Sequence, residues 1–263
     1  MGPVKFRAEL TDFKMIYNVL KATTFKEFAL IHPLEEGLKV TIEEMKCIET
    51  SIYFPSNLFC TYYIDPGDDI KFKLNIKVLT ECLHVFGDDS SPSLKLSYKG
   101  YGSPLCLVIK HSEENILVDC EIQTMDPEDF SDLSLAEECS ENKITMDAQS
   151  LVEVVSEMDQ NSDELQILLS PDVPHFRMSA TSVGGKTVLD ICEYSDIVTK
   201  FECKKTRQFS YAFGYIRNIL KVMNLASKVS ISTSETGLLG LQLIINVNKK
   251  QIFVEYYVMA LNI

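Results

Sequence analysis

At 263 residues, 46% of them hydrophobic, the chain can bury one large core or two of ordinary domain size. A formal net charge of −13 and a pI near 4.8 exclude a protein that coats nucleic acid with basic charge all over, leaving room only for a local basic stripe. The cysteines (Cys47, Cys60, Cys82, Cys106, Cys120, Cys139, Cys192, Cys203) are scattered with no CxxC pair, and no run reaches the roughly 18 apolar residues of a spanning helix, so a soluble intracellular chain with free thiols is expected.

The segment KFRAEL reads as a strand, followed by helical spacing at Phe13, Ile16, Tyr17, Val19 and Leu20. LKVTI (38–42) alternates as a strand, and PGDD (66–69) is a turn. A second helix is expected over Leu79, Leu83 and Phe86. In SLKLSYK, Leu94, Leu96 and Tyr98 alternate with Lys95, Ser97 and Lys99, the period-two mark of a half-buried strand, and two more strands end at ILVDCEI. From Ser112 to Glu141 there are eleven acids and no Lys or Arg, and the part from 125 to 141 lacks periodicity. It reads as an exposed connector, or as an acidic loop that is merely solvated. Beyond it come the strand NKITMD, a helix over Leu151, Val154, Val155 and Met158, several strands, a helix over Ile216, Ile219, Leu220 and Met223, and three final strands beginning with KVSIST.

The order repeats. Phe13, Tyr17 and Leu20 return as Leu151, Val155 and Met158 at an offset of 138, and LTECLHVF returns as IRNILKVM at 137. Each half reads strand, helix, several strands, helix, three strands, which is a duplicated domain with low internal identity. The domains are expected over 1–124 and 142–263, with 125–141 between them.

If each helix lays its apolar stripe on a sheet, the opposite stripe faces outward. The first helix offers Lys14, Asn18 and Lys21, and the last offers Arg217, Lys221 and Asn224. The second (Lys77, Glu81, His84) is mixed and the third (Gln149, Glu153, Ser156) leans acidic. Two basic faces in an acidic chain suit a polyanion held without base readout, and each face singly also suits plain solvation.

Recognisable catalytic chemistry is absent. VGGKT (183–187) ends like a phosphate-binding loop but has Ala180 where the first glycine belongs. His32, His84, His111 and His175 lack ligand spacing, and the acids Asp68 and Asp69 sit in a turn. No catalytic residue, metal or cofactor is expected.

Seven strings carry a resemblance that spans nearly the whole chain in collinear order: LKATTFKEFA (20–29), GLKVTIEEMKC (37–47), IKVLTECLHVFG (76–87), YKGYGSPL (98–105), SPDVPHFRMS (170–179), KVSIST (228–233) and QIFVEYY (251–257). Together they resemble the Rad-one family of subunits of the heterotrimeric DNA-damage checkpoint clamp, relatives of the replication clamp, proliferating cell nuclear antigen. The chain departs from the family pattern in the connector and around Val183 to Thr206.

The resemblance implies an α+β DNA-clamp fold: two similar domains, each with two helices packed on antiparallel sheet, joined by the acidic connector. It implies helices lining a central hole, with Lys14, Lys21, Lys77, Arg217 and Lys221 facing double-stranded DNA. Ring closure would pair the edges Ile116 to Ile122 and Thr187 to Glu193, so that Ile116, Leu117, Val118, Asp119, Cys120, Thr187, Val188, Leu189, Asp190 and Ile191 meet two paralogous clamp subunits. A separate ATP-driven clamp loader, a nuclear location and no membrane contact are implied as well. A homotrimeric replication clamp, an adaptor without DNA contact and a metal-dependent nuclease are the rival readings.

Overall fold

The computed structural model describes residues 3–87, 92–111, 114–127, 133, 142–158 and 161–261. The chain divides into two compact units: Met1–Glu43, Ser51–Ser131 and Val247–Ile252 form the first, and Glu44–Thr50, Asp132–Asn246 and Phe253–Ile263 the second.

The first unit contains β1 (Phe6–Leu10), α1 (Lys14–Thr23), β2 (Phe28–Leu34), β3 (Gly37–Glu44) up to Glu43, β4 (Ile48–Pro55) from Ser51 onward, a 3₁₀ turn at Ser56–Leu58, β5 (Thr61–Ile64), β6 (Phe72–Asn75), α2 (Ile76–Leu83), β7 (Ser93–Tyr98), β8 (Leu105–His111), β9 (Ile116–Ile122) and the short β10 (Thr124–Met125). One sheet has the order β5-β1-β7-β8-β9 and the other runs β10-β6-β2-β3-β4. Alternation fixes the register: Phe6, Ala8 and Leu10 stand opposite Tyr98, Leu96 and Leu94, and all six are buried. Ile16 and Leu20 of α1, with Leu79 and Leu83 of α2, close over Phe6 and Leu94 around an apolar cavity of about 30 Å³. Sheet and helices thus share one core.

The second unit repeats the plan with β11 (Asn142–Asp147), α3 (Ala148–Ser156), β12 (Glu164–Leu169), β13 (Phe176–Ser182), β14 (Gly185–Ile191), β15 (Val198–Cys203), β16 (Arg207–Ala212), α4 (Phe213–Met223), β17 (Lys228–Thr233), β18 (Leu239–Val247) up to Asn246 and β19 (Lys250–Val258) from Phe253 onward. Its sheets follow β14-β13-β12-β16 and β19-β18-β17-β11-β15. Strand, helix, five strands, helix and three strands occur in both units, with β10 added in the first. The expected α+β duplication is present, with two helices on antiparallel sheet in each unit.

Local chemistry sets the helix ends. Asn75 caps α2 by accepting from the amides of Lys77 and Val78 at 3.0 and 3.1 Å, and Asp147 caps α3 by accepting from the Ser150 amide at 2.8 Å. At the end of α1 the Thr23 hydroxyl donates to the Val19 carbonyl and the Thr24 hydroxyl to the Leu20 carbonyl, adding side-chain bonds to the last turn. Buried Asn142 is fully engaged: its Nδ2 donates to the Lys205 carbonyl at 2.7 Å while its Oδ1 accepts from the Lys204 and Lys205 amides. That one side chain pins the turn after β15.

Three details of the expected helix stripes are corrected. Val152, not Val154, is buried on α3; Val222, not Leu220, is buried on α4; and Phe86 lies half-buried beyond the end of α2. Each helix makes contact over an arc wider than one i, i+3, i+4 row, so a buried position next to the expected one carries the packing. Of the expected connector, only 125–127 and 133 are described. The Leu133 amide donates to the buried Glu49 carboxylate at 3.1 Å. The rest of 125–141 lies outside the described residues.

Gly37 has φ +153°, and a Cβ there would run into the Phe54 carbonyl oxygen and stand 2.7 Å from Pro55 Cα. Gly37→Ala is therefore expected to cost on the order of 3 kcal/mol. Gly214→Ala, in open space on α4, should instead stabilise by about 0.5 kcal/mol. Urea unfolding midpoints of the two variants check both signs.

The Ser150 amide and hydroxyl hold the Asp147 carboxyl below its ordinary range, so its stabilising contribution is present above the unfolded-state value and fades as pH falls through the folded one. Asp147→Ala is expected to cost about 1 kcal/mol at neutral pH. The difference from the parent should close below roughly pH 4, read as unfolding free energy against pH.

Candidate nucleic-acid and subunit interfaces

The five cations singled out in the sequence all fall on helices. Lys14 opens α1 and Lys21 lies in its last turn; both are exposed, and Lys21 Nζ sits 5.3 Å from the centre of the Tyr17 ring. Tyr17 in turn stacks on His84, just past α2, with ring centres 5.2 Å apart, which ties the helix pair of the first unit together. Exposed Lys77 stands in the first turn of α2. In the second unit, Lys221 is exposed in the last turn of α4. Arg217 is half-buried, its guanidinium 4.9 Å from the Phe213 ring centre and its Nη2 donating to the Ser162 carbonyl at 3.3 Å. α3 exposes Gln149, Glu153 and Ser156 and remains acid-leaning.

Helix dipoles separate these cations into two kinds. Lys21 and Lys221 lie at helix C-termini, where a cation gains a few tenths of a kcal/mol, about 0.3 or more. Lys14 and Lys77 lie at N-termini, where a cation loses a similar amount, so helix stability does not account for them.

Both expected edges end a sheet, the first with its expected bounds Ile116–Ile122 and the second at Gly185–Ile191, two residues earlier than the expected Thr187 to Glu193, so that Glu193 lies past the strand. β9 ends the five-stranded sheet and β14 ends the four-stranded sheet. With seven residues each they are longer than the end strands β5 (four), β10 (two), β15 and β16 (six each). They also share one burial alternation along their length: Ile116 and Leu117, like Gly185 and Lys186, are exposed; Val118 and Cys120, like Thr187 and Leu189, are half-buried; and Ile122 and Ile191 are buried. Ile191 therefore offers an edge its backbone but not its side chain. Cys120 faces α2, where burial, and after it the Cys120 sulfur, pushes the Cys82 thiol up to about 11.

The outward charges of the two edges differ. On β14, Asp190 stands opposite Arg177 of β13 and accepts two bonds from its guanidinium at 2.5 and 2.7 Å, which holds the Asp190 carboxyl below its usual range. Sequence reading missed Arg177, because cross-strand register is set by the whole sheet and leaves no local signal. Glu193, past the end of β14, lies 3.3 Å from His175, which is buried with its ring edge-on to Phe201. Among the described residues no three of His, Cys, Asp and Glu converge as metal ligands, and no helix is long and apolar enough to cross a membrane.

Comparison with known proteins follows the same outline. The family model for "Repair protein Rad1/Rec1/Rad17" matches residues 5–245. "Cell cycle checkpoint protein RAD1" of Mus musculus is 35% identical over 255 residues, covering 95% of this chain and 90% of that protein. Its namesake from Homo sapiens is 34% identical over 95% of this chain and 89% of its own length. "DNA repair protein Rad1" of Drosophila melanogaster is 27% identical over 99% and 95%. A duplicated unit of helices on antiparallel sheet, matched from end to end in this way, has one reading: the chain belongs to the Rad1 family of repair proteins and has its clamp fold.

Proposed function

We propose that this chain is a non-enzymatic subunit of a heterotrimeric ring that encircles double-stranded DNA in the nucleus and serves DNA-damage checkpoint signalling and the recruitment of repair factors. Residues 1–124 and 142–263 are its two clamp domains, and 125–141 is the acidic connector. The observation that carries the reading is the pair of long, open edge strands, β9 and β14, one on each unit and alike in burial. An open edge presents unpaired backbone donors and acceptors, and leaving two of them bare, with Leu117 56% and Val188 46% exposed, invites aggregation unless partners cover them. Two paralogous subunits are those partners, and an ATP-driven clamp loader opens the ring. The relatives, named as checkpoint and repair proteins, support the same role.

Retention on DNA is then topological. Lys14, Lys21, Lys77, Arg217 and Lys221 act on phosphates at a reach of about one Debye length, ~8 Å at physiological salt, strong enough to centre the duplex and too weak to fix a register. The acid-leaning α3 keeps that attraction modest.

Light scattering on the purified chain should give a monomer near 29.8 kDa that becomes a one-to-one-to-one complex when both paralogues are added. A self-trimer would point to a replication clamp instead, and a monomer indifferent to both paralogues would refute the ring. Changing Lys14, Lys21, Lys77, Arg217 and Lys221 together to Ala should weaken association of the assembled ring with linear duplex roughly tenfold, with ring mass unchanged. Loss of the ring in that variant would remove the DNA-facing assignment.

A further inference from the structure

The two edges are alike in burial and unlike in charge. The outward face of β9 presents Leu117, Asp119 and Glu121, and that of β14 presents Lys186, Val188 and Asp190. On β14 the acid is held by Arg177, so Lys186 is left as the uncompensated charge among the described residues. On β9 neither Asp119 nor Glu121 has an ion pair among the described residues. Their cross-strand neighbours on β8 are Val108 and Cys106, while Lys110 lies opposite Leu117. Two carboxylates at alternating positions therefore stand on an open ladder edge without a cation across from either.

Such an edge discriminates. Two copies of β9 pairing antiparallel about Asp119 would bring Asp119 against Asp119 and leave each Glu121 facing an apolar Leu117, so β9 repels its own kind. This chain's own β14 offers only Lys186 against two acids. We infer that β9 selects its neighbour by charge: its occupant is the edge strand of a different, related clamp chain that carries Lys or Arg at two alternating outward positions, opposite Asp119 and Glu121. The inference rests on the ring reading above and deepens it, because shared backbone hydrogen bonding alone accepts any strand, whereas charges placed across the ladder admit one neighbour and exclude others. The β14 edge, closer to neutral, is left for the other subunit.

The test uses the full chain, with each of the two paralogous subunits titrated separately onto it. Asp119→Lys with Glu121→Lys, and the milder Asp119→Asn with Glu121→Gln, are compared with Lys186→Glu on the other edge. Unfolding midpoints establish that each variant is folded. One paralogue should bind the β9 charge-reversal variant at least about tenfold more weakly at low salt, the neutral variant should fall between, and the deficit should shrink at roughly 0.5 M salt. The other paralogue should bind both β9 variants like the parent and respond only to Lys186→Glu. Undiminished binding of both paralogues, a deficit unchanged by salt, or self-association of the parent chain that the β9 variants abolish would overturn the charge selection while leaving a ring in place. Failure of the parent chain to bind either paralogue would overturn the ring reading itself.

Discussion

The pairing of β1 with β7 and of β11 with β17 is the contact on which each unit is built. Phe6, Ala8 and Leu10 meet Tyr98, Leu96 and Leu94, while Ile144 and Met146 meet Ile231 and Val229, and every one of these side chains is buried. A strand that buries every second residue must present the others to something polar, and a slip of one residue would reverse both faces. The helices α1 and α3 follow directly on β1 and β11, so the strand that fixes the register also sets where the first helix lands. Everything outward of that pairing inherits its phase, including the cations on the helix surfaces and the acids on β9.

Sheets built this way have ends, and the fold handles its ends unequally. β5 and β10 are four and two residues long, too short to template much pairing. β15 carries alternating Lys200 and Glu202, paired with each other at 2.9 Å. β9 and β14 are longer, and Ile116, Leu117 and Val188 keep apolar surface exposed on them. A chain selected only for solubility as a monomer would have blunted these strands first. Their state is the physical reason to assign them partners.

Much of this was legible in the sequence because it is local. Alternation at Leu94, Leu96 and Tyr98, the stripe from Phe13 to Leu20 and the repeat at offsets of 138 and 137 depend on neighbours a few residues apart, and they carried the two-unit plan. Contacts closed by the assembled sheet were not legible. Arg177 and Asp190 meet only once β13 and β14 are in register, and Glu49 is buried beneath the Leu133 amide, 84 residues away along the chain. The misplaced stripe residues on α3 and α4 fail for the same reason, since a helix packed against both a sheet and its partner helix buries a wider arc than its own periodicity announces. That β9 and β14 are the edges came from family resemblance, not from periodicity, which marks a strand without saying where in a sheet it lies.

The net charge of −13 becomes intelligible once the cations are located. An acidic surface repels duplex DNA from most directions, so a few cations on the helices need not bind strongly to define where a duplex is tolerated. Lys14 and Lys77 stand at helix N-termini at some cost to helix stability, and Arg217 is partly turned inward on Phe213. On the proposed reading, that combination guides rather than grips: repulsion elsewhere gives orientation, weak attraction on the helices gives centring, and closure of the ring gives persistence. A more basic helix surface would add affinity and steepen its salt dependence, because each further phosphate neutralised releases counterions that must be recovered before the duplex can be let go.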